Sequence, residues 1–558
     1  MRKPTCLGLH IGHDRAISIA QGNRITFHLG VERLDRTKHS ESHKLPAEAI
    51  RQTLRRISLP VSTLDAVCIT YHQVDAPRVT AILEAEFRED FKDFSGTFSV
   101  IDHHLAHALG AFSCSPFEQS LVLVADGAGD IRPWGTQSES LFHVSRSEFY
   151  LLEERLQGRP LTLINRPEFY IPEFFDPADL NRQISIGLKY EQITYLCGFA
   201  PGQAGQTMAL AAFGVPLFDL SYLVPRNFGF SLRYVDLLDG LGEIARQHQM
   251  TLLQFARRSR DDIAATAQKY LEMSLVALVD YIVEAYEPEA LCFSGGVFLN
   301  CPVNRKILDR HSGIRQFTMP VCNDEGQSIG AAAYATWQIT SSLPQVDSAF
   351  PYLGLSYSLD ECRQSLCQAG LKYEEYEDDD QLAFELARLL AAGKICAVLR
   401  GRSESGPRAL GNRSILGDPR FRDTKTRLDN GIKRRAAFRP YAPIVLESRA
   451  QRYFDITANS PYMLLTASVK QEYRDALLSV THVDGTARVQ TITPDAQPFL
   501  AKLLACCEES TGLAVLLNTS FNDQAEPMVE SPADAIRTFL STDLDVLLVG
   551  SLLHIKQG

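Results

Sequence analysis

Short apolar runs separated by turn residues fill the first thirty positions of the chain. The runs read TCLGLHI, RAISIAQ and RITFHLG, and turns lie at positions 12–14 and 21–23. Runs of this kind predict a hairpin-rich sheet. Helical and strand-like periods then alternate, which predicts an α/β half. Its expected elements are a helix from Pro46 to about Ile57, the strand DAVCITY (65–71), a second helix, a strand ending near Asp102, a helix after His103 and the strand LVLVAD (121–126).

A second α/β half is expected further along the chain. Positions 131–256 show little regular pattern, except for the ordered-looking segment 185–214. A long helical pattern follows from Asp261 to about Ala285, then the strand ALCFS (290–294), the turn Gly295-Gly296 and another helix. Two duplicated α/β halves that begin with a hairpin are the organisation of an actin-like ATP-binding fold.

A polar, proline-containing stretch at 340–356 indicates a domain boundary. We therefore expect one domain at 1–345 and a second α/β domain at 346–558. The second contains helical patterns at about 359–369 and 380–392 and strands at 395–400 and 513–518. A final helix is predicted to open at Ser531-Pro532, with serine as N-cap and proline in the first turn.

Composition places the chain among soluble globular proteins. Hydrophobic residues make up 45% and charged residues 22% of its 558 positions. No apolar run reaches the roughly 18 residues that span a bilayer, and no signal peptide is evident, so we expect no membrane association. The 12 cysteines lack paired spacing, which is typical of a reducing compartment. We expect a cytoplasmic protein and leave open whether it forms a homodimer.

Charge is concentrated in one basic island, residues 400–439. It contains ten Arg and two Lys against four acids, a net charge of +8, whereas the whole chain carries −11 and the remainder therefore −19. Arginine favours bidentate recognition of phosphate or carboxylate. Gly401, Gly406, Pro407 and Gly411 exclude a continuous solvated helix. Few aromatic residues lie near the island, and the acidic remainder would repel a polyanion. A nucleotide or phosphorylated small molecule is thus a better ligand than nucleic acid.

Histidines and carboxylates form a candidate metal site. His103 and His107 are four residues apart and so share one helix face, while Asp126 and Asp324 lie in turns after strands. This donor set suits iron, zinc or manganese. A zinc metallopeptidase is excluded because that motif needs a glutamate where this chain has His104. A purely structural histidine pair stays the alternative.

Glycine-rich turns after strands predict close approach to phosphates. The residues concerned are Gly127, Gly129, Gly205, Gly295, Gly296 and Asn300. The alternative is that these glycines serve tight packing between strand and helix.

Two further groups are candidates for chemistry. His13 and Asp14 lie in the first hairpin turn, where a histidine beside a carboxylate can act as a general base, or where the aspartate simply makes the turn. The second group would hold phosphate and carbonyl oxygens if it converged, which spacing alone does not show. Its members are Arg408, Lys433, Arg439, Arg488, Asn518 and Ser520.

Five blocks of the chain together resemble one family. They read GRSESGPRALGNRSILGDPR, NGIKRRAAFRPYAPIVL, LNTSFNDQAEPMVESPADA, HHLAHA and SGGVFLN. They are similar to the O-carbamoyltransferases of nodulation-factor and antibiotic pathways, and the similarity spans nearly the whole chain. The resemblance implies an N-terminal actin-like (ASKHA) domain and a C-terminal YrdC-like domain.

The resemblance also implies a mechanism. The YrdC-like domain would form carbamoyl adenylate from carbamoyl phosphate and Mg²⁺-bound ATP, with release of pyrophosphate. The residues at the family's positions for this step are Arg408, Lys433, Arg439, Arg488, Asn518 and Ser520, of which Arg408 and Lys433 would be catalytic. A hydroxyl of a small-molecule acceptor would then attack the carbamoyl carbon in the actin-like domain. His13, with Asp14, would lie beside the reacting carbonyl. Fe²⁺ or a similar ion would be held by His103, His107, Asp126 and Asp324.

Two features depart from the family or stay open. Gln206 stands where the family often has a lysine, so we assign it no catalytic role. Positions 131–256 match least and are a plausible source of acceptor specificity.

The alternative function is a tRNA-modifying enzyme of the threonylcarbamoyl type, which the charge distribution argues against. A hydrogenase-maturation carbamoyltransferase would need an acylphosphatase segment and paired-cysteine zinc fingers, which the sequence lacks.

Overall fold

The computed structural model describes residues 3–42, 44–71, 76–132, 135–157, 185–200, 202–221, 228, 234–524 and 526–557. Within these residues the chain forms a mixed α/β fold built on two similar sheets followed by a third, larger one. The α/β class expected from the sequence is therefore confirmed.

The first sheet begins with the expected hairpins. Its strands run in the order β3-β2-β1-β4-β5, with β2 antiparallel to both neighbours and β4 and β5 parallel to β1. The elements are β1 Thr5–His10, β2 Ala16–Gln21, β3 Arg24–Gly30, α1 Glu32–Asp35, α2 Ala47–Arg56, β4 Ala66–Thr70, α3 Ala76–Asp90 and β5 Thr97–Ile101.

The second half follows directly. Its elements are α4 His103–Cys114, β6 Gln119–Ala125, β7 Ile131–Arg132, β8 Gly135–Ser145, β9 Phe149–Gln157, α5 Ile186–Leu196, α6 Ala204–Leu210, α7 Tyr234–Gln247, α8 Leu252–Arg258, α9 Arg260–Tyr286, β10 Ala290–Ser294, α10 Cys301–Arg310, β11 Arg315–Thr318 and α11 Gln327–Thr340. The order β9-β8-β6-β10-β11 and the strand directions repeat those of the first sheet, with β6 in the place of β1.

The third part carries the remaining strands. Its elements are β12 Gln345–Val346, α12 Leu359–Gln368, β13 Glu374–Glu375, α13 Asp379–Ala391, β14 Cys396–Leu399, β15 Arg413–Gly417, α14 Arg422–Arg427, β16 Ala442–Leu446, α15 Glu447–Tyr453, β17 Phe454–Asp455, β18 Thr466–Val469, β19 Thr486–Arg488, β20 Gln490–Ile492, α16 Pro498–Thr511, β21 Val515–Ser520, α17 Pro532–Leu540, β22 Val546–Val549 and β23 Leu552–Ile555. The main sheet has the order β13-β23-β22-β14-β15-β21-β16-β20, while β12 pairs with β3 of the first half.

Helices α4 and α11 form the centre of the main core. Both are buried on nearly all sides, and they pack against each other between the two similar sheets. A Cβ at Gly330 of α11 would lie only 1.8 Å from the carbonyl oxygen of Ala106 in α4, so glycine is required for this close approach. The approach places the start of α11, with Asp324 just before it, against the first turns of α4.

The prediction that 131–256 is irregular was wrong for its described residues. β8 and β9 form a long antiparallel pair, and helices α5 to α8 follow. The sequence pattern did not predict β8 because its residues Gln137, Ser138 and Glu139 are polar, although all three are buried and hydrogen-bonded. Glu139, for example, pairs with Arg155 of β9 at 2.9 Å. Buried polar residues remove the alternation on which a strand prediction depends.

Two smaller corrections concern loops near the site. The helix expected directly after Gly296 is a short 3₁₀ turn, and α10 begins only after Asn300, whose side chain caps it. Gly205 lies in the first turn of α6, so the expected glycine turn there was wrong. Among the described helices, none combines the length and the apolar character needed to cross a bilayer.

Candidate active site

Three different segments bring the four candidate metal ligands together. Asp102 caps α4 by accepting a hydrogen bond from the backbone of Leu105, which fixes the helix start where His103 and His107 lie one turn apart. Asp126 follows the last residue of β6, and Asp324 opens the turn before α11. One potential ligand atom from each of the four lies within 4.8 Å of the others.

The distances fit a single ion. His103 Nε2 and Asp126 Oδ2 are 3.2 Å apart, and His107 Nε2 and Asp324 Oδ1 are 3.3 Å apart. Donor atoms that share one first-row metal ion at about 2.1 Å lie roughly 3 to 4 Å from each other. Two imidazoles and two carboxylates suit Fe²⁺, Mn²⁺ or Zn²⁺.

Hydrogen bonds outside the cluster orient its ligands. The backbone N–H of Gly296 donates to Asp126 Oδ1 at 3.1 Å, so Oδ2 is the oxygen that faces the imidazoles. Ser294 Oγ lies 3.2 Å from His107 Nδ1. Such partners fix a ligand's orientation before an ion arrives.

The carboxylates hold protons on the imidazoles when no ion is bound. Burial by itself lowers the pKa of His107, but hydrogen bonds and charges from Asp126 and Asp324 outweigh it and raise that pKa to about 9. The same interactions overcome burial in Asp126 and hold its pKa well below the ordinary value. A cation at this position would replace protons as the partner of two negative charges.

Gln327 is a residue of this site that the sequence did not reveal. Its side chain is fully buried, and its amide lies 3.0 Å from His103 Nε2 and 3.1 Å from His107 Nε2. His104, by contrast, turns away from the cluster to Ser140 at 2.7 Å, and burial lowers its pKa to about 3. Its presence in the HHLAHA motif therefore adds no third imidazole to the cluster.

A second cluster lies in the turn between β1 and β2. Asp14 contacts His13 Nδ1 at 3.2 Å through Oδ2 and His39 Nδ1 at 3.0 Å through Oδ1. Asn323 donates to the same carboxylate at 3.2 Å, which links this cluster to the residue beside Asp324. His39 was also missed, since it lies 25 positions from Asp14 in a polar loop without a regular pattern.

Three cations of the basic island and Arg488 converge in the third part of the chain. Burial lowers the pKa of Arg408, Arg439, Arg488 and Lys433. Repulsion from Arg408 further lowers the pKa of Arg439 and Arg488, so these side chains lie close enough to interact. We call these four residues the cation cluster. Within the described part of the chain, none of its members forms an ion pair with a carboxylate.

Several polar atoms near the cation cluster are buried and have no protein partner among the described residues. They are Arg408 Nε, Arg488 Nε and Asn518 Oδ1. Lys433 Nζ is held by Ser520 Oγ at 3.0 Å and by Asn522 Oδ1 at 2.6 Å. Asn518 lies on β21, in register with Ala442 of β16. The two guanidinium N–H groups can donate to an anion, whereas Asn518 Oδ1 can only accept, from an N–H or O–H group of a ligand.

Other cations of the island have structural partners instead. Arg420 pairs with Asp418, Arg435 with Asp429, and Arg427 with Asp545. Arg413 is completely buried and lies 3.6 Å from Glu530. These four arginines are therefore occupied by protein carboxylates, whereas no carboxylate of the described residues pairs with Arg408, Lys433 or Arg439.

The residues of the glycine-rich turns differ from one another in the protein groups that they contact. The carbonyl of Gly127 accepts from Ser185 Oγ at 2.6 Å, and Gly129 packs against His104 and Gln137. Gly295 makes the turn after β10 with a φ of 97°. Asn300 exchanges two hydrogen bonds with Gln268, at 2.9 and 3.0 Å, in addition to capping α10.

Comparison with known families identifies the chain's relatives. Residues 73–333 match the family model described as carbamoyltransferase N-terminus, and residues 387–556 match that described as carbamoyltransferase C-terminus. The chain belongs to the carbamoyltransferase family. It is an enzyme of this family whose relatives include a named O-carbamoyltransferase. The resemblance identified from the sequence motifs is thereby confirmed.

Individual relatives cover most of the chain. It is 33% identical to nodulation protein NolNO of Sinorhizobium fredii, over 98% of this chain and 79% of that protein. It is 26% identical to 3'-hydroxymethylcephem-O-carbamoyltransferase of Amycolatopsis lactamdurans, over 97% of each chain. Among solved structures, HypF of T. kodakarensis resembles 61% of this chain and 48% of its own, with 15% identity and a TM-score of 0.42.

Proposed function

We propose that this carbamoyltransferase is ATP-dependent and transfers the carbamoyl group to a hydroxyl of a small molecule through carbamoyl adenylate. The observation that carries the proposal is the convergence of one buried lysine, Lys433, and three half-buried arginines without carboxylate partners in the described structure. Burying like charges together is costly unless an anion neutralises them. ATP and carbamoyl phosphate are two strongly anionic substrates that would do so.

The first half-reaction would take place at the cation cluster. A carbamate oxygen attacks the α-phosphorus of ATP and pyrophosphate leaves. Because the carbamate comes from carbamoyl phosphate, the balance also requires one water molecule and release of inorganic phosphate. Arg408 and Arg488 have unused Nε–H groups for phosphate oxygens. Lys433, positioned by Ser520 and Asn522, supplies a further charge where pyrophosphate departs.

The second half-reaction would take place at the histidine and aspartate clusters of the first two halves. His13 lies in the turn where Asp14 and Asn323 connect to the four metal-ligand candidates. His103, His107, Asp126 and Asp324 would hold Fe²⁺ or a similar ion, which when bound would offset negative charge on the adenylate phosphate. Asp14 would hold His13 in place beside the carbamoyl carbonyl.

This division of labour matches a two-domain arrangement. Residues 1–345 would form an actin-like domain for transfer, because their two sheets repeat the same strand order and directions. Residues 346–558 would form a YrdC-like domain for adenylate formation. Arg408 of the second part contacts the first part, because its Nη2 lies 3.5 Å from the carbonyl oxygen of Leu299. The intermediate would therefore have a short route between them.

The acceptor would be a hydroxylated natural-product scaffold, in line with the cephem named for one relative. Helix α5, within the region of weakest motif similarity, lies near the first hairpin turn, because its Glu191 interacts electrostatically with His13, and α6 packs against α5. These helices would contact the acceptor and contribute to its selection.

The decisive experiment omits the acceptor. Protein is incubated with ATP, Mg²⁺ and carbamoyl phosphate, and pyrophosphate, inorganic phosphate and carbamoyl adenylate are measured. We expect Arg408→Met to abolish adenylate formation and His107→Ala to retain it while losing transfer. Arg422→Met, an exposed arginine of the same island, is the matched control and should retain both. Absence of pyrophosphate release from the unaltered protein would refute the mechanism.

A further inference from the structure

His39 is placed by the loop between α1 and α2. Its Nδ1 lies 3.0 Å from Asp14 Oδ1, and about half of its side chain is exposed. Its backbone N–H donates to Glu32 Oε2 at 2.8 Å, which fixes the residue in a left-handed conformation with a φ of 54°. Residues held in such an uncommon backbone conformation cluster at functional sites, which makes His39 a candidate functional residue.

The hydrogen bond defines which ring nitrogen carries the proton. The interactions of Asp14 with His13 and His39 outweigh its burial and lower its pKa, so this carboxylate accepts and cannot donate. His39 Nδ1 must therefore be the donor. In the neutral ring, the lone pair then lies on Nε2, on the opposite edge. An imidazole oriented by a carboxylate in this way is the arrangement of a general base.

His13 and His10 are unsuited to that role. Burial by itself lowers the pKa of His13, but Asp14 overcomes it and raises that pKa to about 9, so near neutral pH this ring holds its proton and donates it. His10 is fully buried, and its two ring nitrogens contact Thr70 Oγ1 at 2.6 Å and the carbonyl of His13 at 2.9 Å. His39 is therefore the member of this group with an accessible basic nitrogen.

The ring of His39 also contacts the first hairpin turn. It stacks on His13, with centroids 5.5 Å apart and planes inclined by 14°. The loop that carries it is attached to the third part of the chain. Arg36 donates to the carbonyls of Met528 at 2.7 Å and Pro527 at 3.0 Å, and Lys38 donates to that of Gln524 at 3.2 Å. His39 thus lies between the first hairpin turn and the segment that follows Asn522.

We propose that His39 is the general base that activates the acceptor hydroxyl, with Asp14 orienting it and His13 donating to the carbamoyl oxygen. This inference rests on the proposed function. His39 Nε2 removes the hydroxyl proton while the acceptor oxygen forms a bond to the carbamoyl carbon. The bond from that carbon to the adenylate oxygen breaks, AMP leaves with its electron pair, and the proton passes from His39 to solvent.

Two nucleophiles distinguish a base from a structural residue. Glycerol must lose a proton as it attacks, whereas hydroxylamine attacks through a neutral lone pair and needs no base beforehand. The full-length protein and its His39→Ala variant are supplied with ATP, Mg²⁺ and carbamoyl phosphate, and with one of the two. We expect the variant to lose about 100-fold or more in transfer to glycerol. Its transfer to hydroxylamine and its pyrophosphate release should stay within about threefold of the unaltered protein, and added imidazole should restore glycerol transfer.

Matched controls separate this inference from its premises. His248→Ala, which removes an exposed histidine stacked on Phe255, should leave all rates unchanged. Equal losses with both nucleophiles, or none with glycerol, would overturn the assignment of His39. Loss of bound metal from His39→Ala would also overturn it, because His39 would then be a ligand. If glycerol is not accepted, hydrolysis of carbamoyl adenylate by water takes its place, since water must also lose a proton. Failure of the unaltered protein to release pyrophosphate would instead refute the proposed function.

Discussion

The backbone N–H of Gly296 donates to Asp126 Oδ1, so the turn after β10 determines which carboxylate oxygen the two histidines face. Asp126 itself follows the neighbouring strand β6, which is parallel to β10. The carboxyl ends of these two adjacent parallel strands therefore position the Asp126 carboxylate together. A substitution in the turn after β10 should therefore alter the position of Asp126, which follows β6.

Gly295→Ala tests this coupling. A Cβ at Gly295 would lie 2.1 Å from the carbonyl oxygen of Ala125, and the φ of 97° disfavours any L side chain. We expect a loss of roughly 2–4 kcal/mol in the free energy of unfolding and weaker metal binding. Urea denaturation and metal titration measure the two effects. Gly313→Ala, with nothing within 4 Å of the added Cβ, should change neither, and an equal loss there would contradict the explanation.

Arg488→Met tests the repulsion in the cation cluster. Removal of one cation should leave the ligand-free protein as stable as before, or more stable by about 1 kcal/mol, because a buried guanidinium without a partner is lost. The gain in melting temperature on adding pyrophosphate should fall by at least half. Thermal scans at constant ionic strength measure both. Arg422→Met serves as the control, and an unchanged pyrophosphate effect in Arg488→Met would exclude this arginine from the anion site.

Arg33→Met tests a buried contact between the first half and the third part of the chain. Arg33 Nη1 lies 3.8 Å from Glu530 Oε2, and Nη2 donates to the carbonyl of Gly406 at 3.1 Å. We expect a loss of about 3–5 kcal/mol, because the variant leaves buried acceptors unsatisfied. Arg363→Met removes an exposed pair and should cost less than about 1 kcal/mol. Comparable urea midpoints for the two variants would show that the buried contact contributes no more to stability than the exposed pair does.

His28 predicts acid sensitivity. Burial, with a smaller contribution from Arg33, lowers its pKa from 6.5 to about 4. The unfolded chain therefore binds a proton that the folded chain does not between these values. Stability should fall by about 1.4 kcal/mol per pH unit from this residue as pH drops from 6.5 toward 4, and not above 6.5. His28→Gln should remove this one-proton dependence of the urea midpoint on pH, and a dependence that stays unchanged in the variant would contradict the assignment to His28.

Much of the fold followed from local pattern. The strand at 290–294 and the capped helix after Ser531 agree with the structure to within a residue, and the long helix spans Arg260–Tyr286 as expected. Each of these elements has a clear period and a definite end signal. The hidden strand β8 lacks both, because its buried residues are polar.

The candidate site was predictable where spacing defines geometry. His103 and His107 share a helix face because they are four residues apart. The structure brings both close to Asp126 and Asp324, and these four residues are the set that the sequence suggested. Gln327 and His39 were missed for a different reason. Their neighbours come from distant segments, 220 and 25 positions away, so their roles depend on tertiary packing that no local pattern encodes.

The repeated strand order of the first two sheets has a consequence for how the enzyme can vary. The connection from β1 to β2, which carries His13 and Asp14, and the connection out of β6, which carries Asp126, occupy equivalent places in the two repeats. We assign proton transfer to the first of these places and propose the second as a cation ligand. On these proposals, substitutions in the first connection would alter the choice of alcohol while leaving Asp126 in place, so the scaffold could acquire new substrates without rebuilding that carboxylate.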